Sequence, residues 1–327
     1  MQLPPLRFNP IMKSKVWGGR KLEHFGKQLP QNESIGESWE LSDLPDSIPD
    51  GRSSILGGPF DGNTLQDVIE HDAAALLGRV PLSPEGGFPL LLKYLDANDN
   101  LSVQVHPDAA YVQKHPEAHL KSEAWHILDA EPGSVIYAGL QPGVDRISFA
   151  KSIADGTVVE KLVAIPAVPG ECHYLPSGTC HALGAGVLVA EVQTPSDTTF
   201  RVWDWGRTSR ELHVEQALQC IDFSGRSVCK PRPAAVDSNG LISTCLVDVE
   251  HFRIEHIRIK PGSSLEFEDS NAPVAFMILN GEAQLEHGDD TTMLNRGQTI
   301  LLPAARQACR MTRAVQLELL AVTLQSG

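Results

Sequence analysis

A chain of 327 residues has room for about two domains, on the usual scale of roughly 150 residues each, and for a substantial core. Its net charge of −14 argues against a broad nucleic-acid or acidic-membrane surface, because non-specific phosphate binding needs a concentrated positive field; any phosphate site has to be a local exception. With 42% hydrophobic and 21% charged residues, the composition is that of a globular protein rather than a disordered or fibrous one.

The amino-terminal stretch MQLPPLRFNPIMKSKVWGGR mixes prolines and bases and holds no apolar run long enough for a signal-peptide core. No later stretch approaches the roughly 20 apolar residues of a membrane span, so the expectation is a soluble, cytoplasmic protein. Residues 64–77 carry Leu65, Val68, Ile69, Leu76 and Leu77 at helical spacing and predict a helix. Short β-rich runs punctuated by Gly and Pro follow at 88–95, 134–138 and 158–165, and again at 276–279. They predict a mainly β fold, a sandwich or barrel, with helices as decorations. A second, capped helix is predicted over 209–221, with Leu212, Ala217 and Leu218 inward.

Residues 224–239 are poor in large apolar side chains and rich in Pro, Gly and Ser, which predicts a linker. The chain beyond it echoes the chain before it. His126-Ile127-Leu128 aligns with Met277-Ile278-Leu279, and Pro169-Gly170 with Pro176 six positions later aligns with Arg296-Gly297 and Pro303. Both pieces read as strand, turn and strand ending at a proline, the pattern of an internally repeated β-barrel. The expected division is a catalytic domain over 1–225 and a degenerate one over 226–327. The first alignment carries Glu123 onto Val274 and the second carries His181 onto Ala308, so the second unit is expected to be metal-free.

Chemistry concentrates in three places. Along a strand, alternate side chains share a face, which groups Ser102, Gln104 and His106, and likewise Lys121, Glu123 and Trp125. Polar residues on the inner face of a barrel predict a wet interior. A third segment, CHYLPSGTCHALG, delivers His181 after a Pro/Gly corner. Gln104, His106, Glu123 and His181 together offer two imidazoles, a carboxylate and an amide oxygen, a donor set suited to Zn²⁺ or another divalent first-row ion. Hydrogen-bonded barrel residues without an ion would leave the same spacing. His115, His119 and His126 read as bystanders, His126 because alternation turns it away from Glu123. Trp17 and Trp39 read as barrel packing, with Trp17 a candidate wall of a pocket. The six cysteines (Cys172, Cys180, Cys220, Cys229, Cys245, Cys309) form no C-x-x-C pair and read as reduced thiols.

The strings GESWELS (36–42), LLKYLDA (91–97), LSVQVHP (101–107), KSEAW (121–125), SGTCHALG (177–184) and EVQTPSDTTFRVWDWGR (191–207), followed by RELH (210–213), resemble successive signatures of the type I phosphomannose isomerases, in family order over about two thirds of the chain. The absence of a long helical insertion is similar to the short bacterial form. The resemblance implies two cupin-type jelly-roll barrels with a few short helices, and interconversion of mannose 6-phosphate and fructose 6-phosphate. It implies one Zn²⁺ per chain on Gln104, His106, Glu123 and His181, with Arg201 as the catalytic arginine. It also implies that Lys93, Ser102 and Lys121 hold the substrate phosphate. Such a reaction moves a proton between C1 and C2 while negative charge develops on an enediol oxygen, which a cation stabilises and a carboxylate, histidine or lysine can serve as base. Glu191 is the candidate base; the competing reading makes it a structural partner of Arg201. The implied partner is a small sugar phosphate, with no nucleic acid, membrane or obligate protein partner expected. A cupin oxygenase would explain the metal but not Arg201, Lys93 and Lys121, and a non-catalytic sugar-binding regulator would be expected to have lost a ligand or Arg201.

Overall fold

The computed structural model describes residues 2–225, 234–238, 240–267 and 270–325. The first part of the chain contributes strands β1 (Leu6–Arg7), β2 (Ile11–Gly19), β3 (Ile35–Leu41), β4 (Leu91–Ala97), β5 (Val103–Val105), β6 (Glu123–Ala130), β7 (Val135–Leu140), β8 (Leu162–Pro166), β9 (Cys172–Leu175), β10 (His181–Leu183), β11 (Val187–Gln193) and β12 (Phe200–Trp203). The remainder contributes β13 (Val236–Ser238), β14 (Leu241–Asp248), β15 (Phe252–Ile259), β16 (Leu265–Phe267), β17 (Val274–His287), β18 (Asp290–Asn295), β19 (Thr299–Leu302) and β20 (Cys309–Leu324). Helices are α1 (Leu65–Leu77), α2 (Ala109–Val112), α3 (Arg146–Ala154) and α4 (Val214–Cys220). The fold is mainly β, as the punctuated sequence predicts, and no described helix is long and apolar enough to cross a membrane.

Helix α1 starts where its sequence places it. The Thr64 hydroxyl accepts from the Asp67 amide while the Asp67 carboxylate accepts from the Thr64 amide, and Leu65, Val68, Ile69, Leu76 and Leu77 are buried. The predicted strand over 158–165 is half right. Residues 158–161 form a 3₁₀ turn and only Leu162 onward enters the sheet. Helix α3 carries little amphipathic signal, burying Phe149, Ser152 and Ile153, and escapes a pattern search for that reason. The second predicted helix is shorter than expected, beginning at Val214. Of the linker segment, residues 226–233 and 239, Cys229 among them, lie outside the described residues; the five described cysteines are free thiols.

Two sheets face each other in the first part: six strands in the order β2-β3-β4-β11-β6-β9, and five in the order β12-β5-β10-β7-β8. A nine-stranded sheet holds the later strands together with β1, whose Leu6 and Arg7 pair with Leu301 and Ile300. The sequence echo has a counterpart in register. Glu123 lies opposite Leu175 and His126 opposite Cys172, as Val274 lies opposite Leu302 and Met277 opposite Thr299. Across the other edge, Glu191 faces Lys93 and Trp125, as Ala321 faces Glu255 and Phe276. Even a bulge recurs, between Trp39 and Leu41 and between Cys245 and Val247. One apolar cluster joins the two parts, with Leu22, Phe25, Leu41 and Tyr94 packed with Phe252, Ile254, Met277 and Leu320.

Candidate active site

Three strands carry a buried cluster between the facing sheets. His106 follows β5, Glu123 opens β6 and His181 opens β10; all three are buried, and their ligand atoms lie within 4.8 Å of one another. His106 Nε2 is 3.4 Å from Glu123 Oε2 and His181 Nε2 is 3.2 Å from Glu123 Oε1. The outer nitrogens are engaged elsewhere, His106 Nδ1 with the Thr198 carbonyl at 3.0 Å and His181 Nδ1 with the Thr179 carbonyl at 2.8 Å. A carbonyl can only accept, so both Nδ1 atoms donate their N–H, and in the neutral tautomer each Nε2 turns a lone pair toward the carboxylate. Burial and the nearby Lys121 ammonium push His106 down to about 3, which keeps its imidazole neutral. Burial opposes the charge on Glu123, but the Lys121 ammonium 2.8 Å away outweighs it and holds the carboxyl well below its usual range.

The Lys121 ammonium, 2.8 Å from Glu123 Oε2, balances part of the carboxylate charge, while the two imidazole Nε2 atoms face the same carboxylate. Both Glu123 oxygens and His106 Nε2 are buried without a well-formed hydrogen bond to the described residues. These orphaned atoms fit a divalent cation in donor type, burial and spacing. Gln104 is opposite His181 in the sheet, with Nε2 3.3 Å from His181 Nε2 and Oε1 accepting from Ser102 Oγ at 3.4 Å. A flip of its amide, which exchanges oxygen and nitrogen, turns the oxygen toward the cluster.

The cluster adjoins a cavity of about 370 Å³ through Gln104 and Lys121, which line it. Lys93, Ser102, Glu191 and Arg201 line it too, so every residue picked out by sequence lies at the cavity or in the cluster beside it. Trp17 and Trp39 pack in apolar clusters, as read, and also line the cavity, Trp17 as the wall its sequence position suggests. Sequence inspection missed Lys13, Lys15, Glu37, Asp197 and Arg210. Glu37 could have been found, since it shares a strand face with Trp39 by alternation. The bystander histidines stay away: His115 stacks on Tyr111, His119 pairs with Glu85 at 3.2 Å, and His126 lies on the far face near His256.

Charge partners revise the competing reading of Glu191. Glu191 does not pair with Arg201 among the described residues; its Oε1 is 3.1 Å from Lys93 Nζ and its Oε2 accepts from Trp125 Nε1 at 2.9 Å. The Lys93 ammonium also approaches Glu37 Oε2 at 3.9 Å, so it is shared between two carboxylates. Burial alone would lower Lys93, yet Glu191 and Glu37 raise it above its ordinary value. Lys121 Nζ lies 2.8 Å from Glu123 Oε2. Arg201 stands beside Gln104 in the sheet and donates through Nη1 to the Glu211 carbonyl at 2.8 Å. Arg210 is held by the buried Asp204 carboxylate through two of its nitrogens.

Paired barrel sheets enclosing a His/Glu/His cluster define a cupin with a cation-binding donor set. Residues 6–131 match the family model described as phosphomannose isomerase type I, catalytic domain. The mannose-6-phosphate isomerase of Streptococcus mutans serotype c is 34% identical over 306 residues, 91% of this chain and 92% of its own. ManA, the mannose-6-phosphate isomerase of Bacillus subtilis, is 31% identical over 311 residues, 93% and 94% of the two chains. A crystal structure of the mannose 6-phosphate isomerase from Bacillus subtilis superimposes with a TM-score of 0.88 at 30% identity, covering 98% of this chain and 99% of that one. The chain belongs to the mannose-6-phosphate isomerase family.

Proposed function

We propose that this chain interconverts mannose 6-phosphate and fructose 6-phosphate by proton transfer through an enediol, at the cavity above the His106–Glu123–His181 cluster. The observation that carries the reading is the buried His106–Glu123–His181 cluster, each imidazole Nε2 within 3.4 Å of a Glu123 oxygen, beside a cation-rich cavity. His106, Glu123 and His181, with the Gln104 amide oxygen, are the proposed ligands of one zinc or similar divalent ion. Such an ion, when bound, supplies a Lewis acid next to the reacting sugar oxygens.

The cavity offers six cationic side chains (Lys13, Lys15, Lys93, Lys121, Arg201, Arg210) against three carboxylates (Glu37, Glu191, Asp197), an exception in a chain of net charge −14 that suits a phosphate dianion. Lys93, Ser102 and Lys121 are the proposed phosphate contacts, with Lys93 a cation shared with Glu191. Glu191 takes the C2 proton of the open-chain aldose and returns it to C1 while the hydroxyl proton passes from O2 to O1, and Arg201 faces the developing oxyanion. Residues 1–225 are proposed to form the catalytic unit and 226–327 a metal-free one, a division supported by the repeated register and by Val274 standing where Glu123 stands.

Turnover of mannose 6-phosphate in heavy water tests both substrate and route. Fructose 6-phosphate should form, with solvent deuterium accumulating at C1 as the reaction is held at equilibrium. Product without any deuterium after prolonged incubation would replace the enediol with hydride transfer.

A further inference from the structure

Four adjacent strands line up alternating charges along one wall of the cavity. Lys15 Nζ on β2 is 3.1 Å from Glu37 Oε1 on β3; Glu37 Oε2 is 3.9 Å from Lys93 Nζ on β4; Lys93 Nζ is 3.1 Å from Glu191 Oε1 on β11. Indole donors fix both carboxylates, Trp39 Nε1 to Glu37 Oε2 at 2.6 Å and Trp125 Nε1 to Glu191 Oε2 at 2.9 Å. The Lys93 ammonium also lies over the Trp39 ring, 5.3 Å from its centroid. Each carboxylate therefore has a defined rotamer, and the ammonium between them has two anions and a ring to choose among.

The fold does not require this row. Register places Ser243 where Glu37 stands, Cys245 where Trp39 stands, Glu255 where Lys93 stands and Ala321 where Glu191 stands, on strands of the same kind in the second part of the chain. The same strand arrangement thus forms there without the alternating lysines and glutamates. Burying such ions costs free energy that apolar packing avoids, so the row is kept for what it does at the cavity.

We propose that Glu37 is a positioning residue of the isomerisation, holding Lys93 away from full neutralisation of Glu191 and thereby leaving Glu191 basic enough to take the sugar proton. The inference rests on the assignment of Glu191 as base. With Glu37 in place, the Lys93 charge is divided between two carboxylates. Without it, Lys93 closes on Glu191 alone and makes it a poorer base. The other charged groups facing the row are Lys13 from β2, Lys121 and Glu123 at β6, and Asp197, Arg201 and Arg210 across the cavity; none of them changes in the test below.

The test is the pH profile of kcat for metal-loaded wild type, Glu37→Gln and Lys15→Met. Glu37→Gln removes a negative charge two ion-pair lengths from Glu191, so the acid limb should move down by about one pH unit, the effect of one charge at that range in a partly screened site. Its plateau kcat should fall by up to about tenfold, with KM nearly unchanged. Lys15→Met removes a positive charge from the far end and should move the limb up. A profile for Glu37→Gln that overlays wild type, or a raised KM with unchanged kcat, overturns the proposal. Should Glu37→Gln fail to fold, Lys15→Met decides: an upward limb supports the row and an unmoved limb refutes it. Wild type without isomerase activity would instead remove the reading on which the inference rests.

Discussion

Arg201 and Lys121 separate catalysis from binding. A guanidinium that meets charge only as the enediol forms is worth more in the transition state than in the ground state, so Arg201→Ala should lower kcat on the order of 10²–10³ with a smaller change in KM. Lys121→Ala should act mainly on KM, because a phosphate contact holds substrate and transition state alike. Metal content should be unchanged in both, and steady-state kinetics with metal analysis reads all three quantities. A near-normal kcat in Arg201→Ala would make the arginine a binding residue. Glu37 offers a pH-dependent check on stability. Burial opposes its charge, but Lys93 and Lys15 outweigh burial and bring it from the ordinary 4.5 down to about 2. A depressed carboxyl contributes stability above its unfolded value and loses it as pH falls through the folded one. The contribution, up to about 3 kcal/mol, should therefore be intact above about pH 5 and vanish between pH 4.5 and 2. Denaturant unfolding of wild type and Glu37→Gln across that range should show the gap between them closing as the solution is acidified. At this scale the His106–Glu123–His181 cluster was legible, because alternation and a family resemblance both point to those residues. The partners of Glu191 and Lys93 were not, since strand register sets them and no local spacing encodes it.

Helix α1 shows which elements a sequence announces. Its cap, its acid at the third position and its buried periodic residues agree, and each is local. Thr64→Ala should cost about 1 kcal/mol and lower Tm by about 2 °C, leaving kcat and KM untouched because α1 contributes nothing to the cavity wall. Thermal unfolding alongside the kinetic assay checks this, and an effect on kcat would mean that α1 reaches the site by a route the packing does not reveal. Helix α3 has a capping box as good as that of α1, formed by Asp145 and Ser148, but its exposed face includes Ile147 and its buried face is short. The hydrophobic period is blurred, and tertiary packing decides the outcome. Residues 158–161 fail differently: an apolar start read as strand is diverted into a 3₁₀ turn before the sheet begins.

The two parts of the molecule meet through a common core, so they should unfold together. The seam is intolerant at Gly297, which has φ +82° and whose added Cβ would stand 1.9 Å from the Phe25 carbonyl oxygen. Gly297→Ala should cost more than about 2 kcal/mol and lower a single calorimetric transition; two resolved transitions would mean that the parts are energetically independent. The internal repeat was readable from short Gly/Pro echoes because these mark turns that the backbone cannot make otherwise. That β1 leaves the first part to extend the later sheet was not readable, since a two-residue strand carries no pattern. The central claim joins the cluster to the reaction, and one measurement addresses it: fructose 6-phosphate formation from mannose 6-phosphate by the full chain, followed before chelation, after chelation and after return of zinc, with bound metal quantified in each sample. Activity should track occupancy, disappearing in the stripped protein and recovering as the ion is restored to one per chain. Undiminished turnover in protein shown to be metal-free would contradict the account.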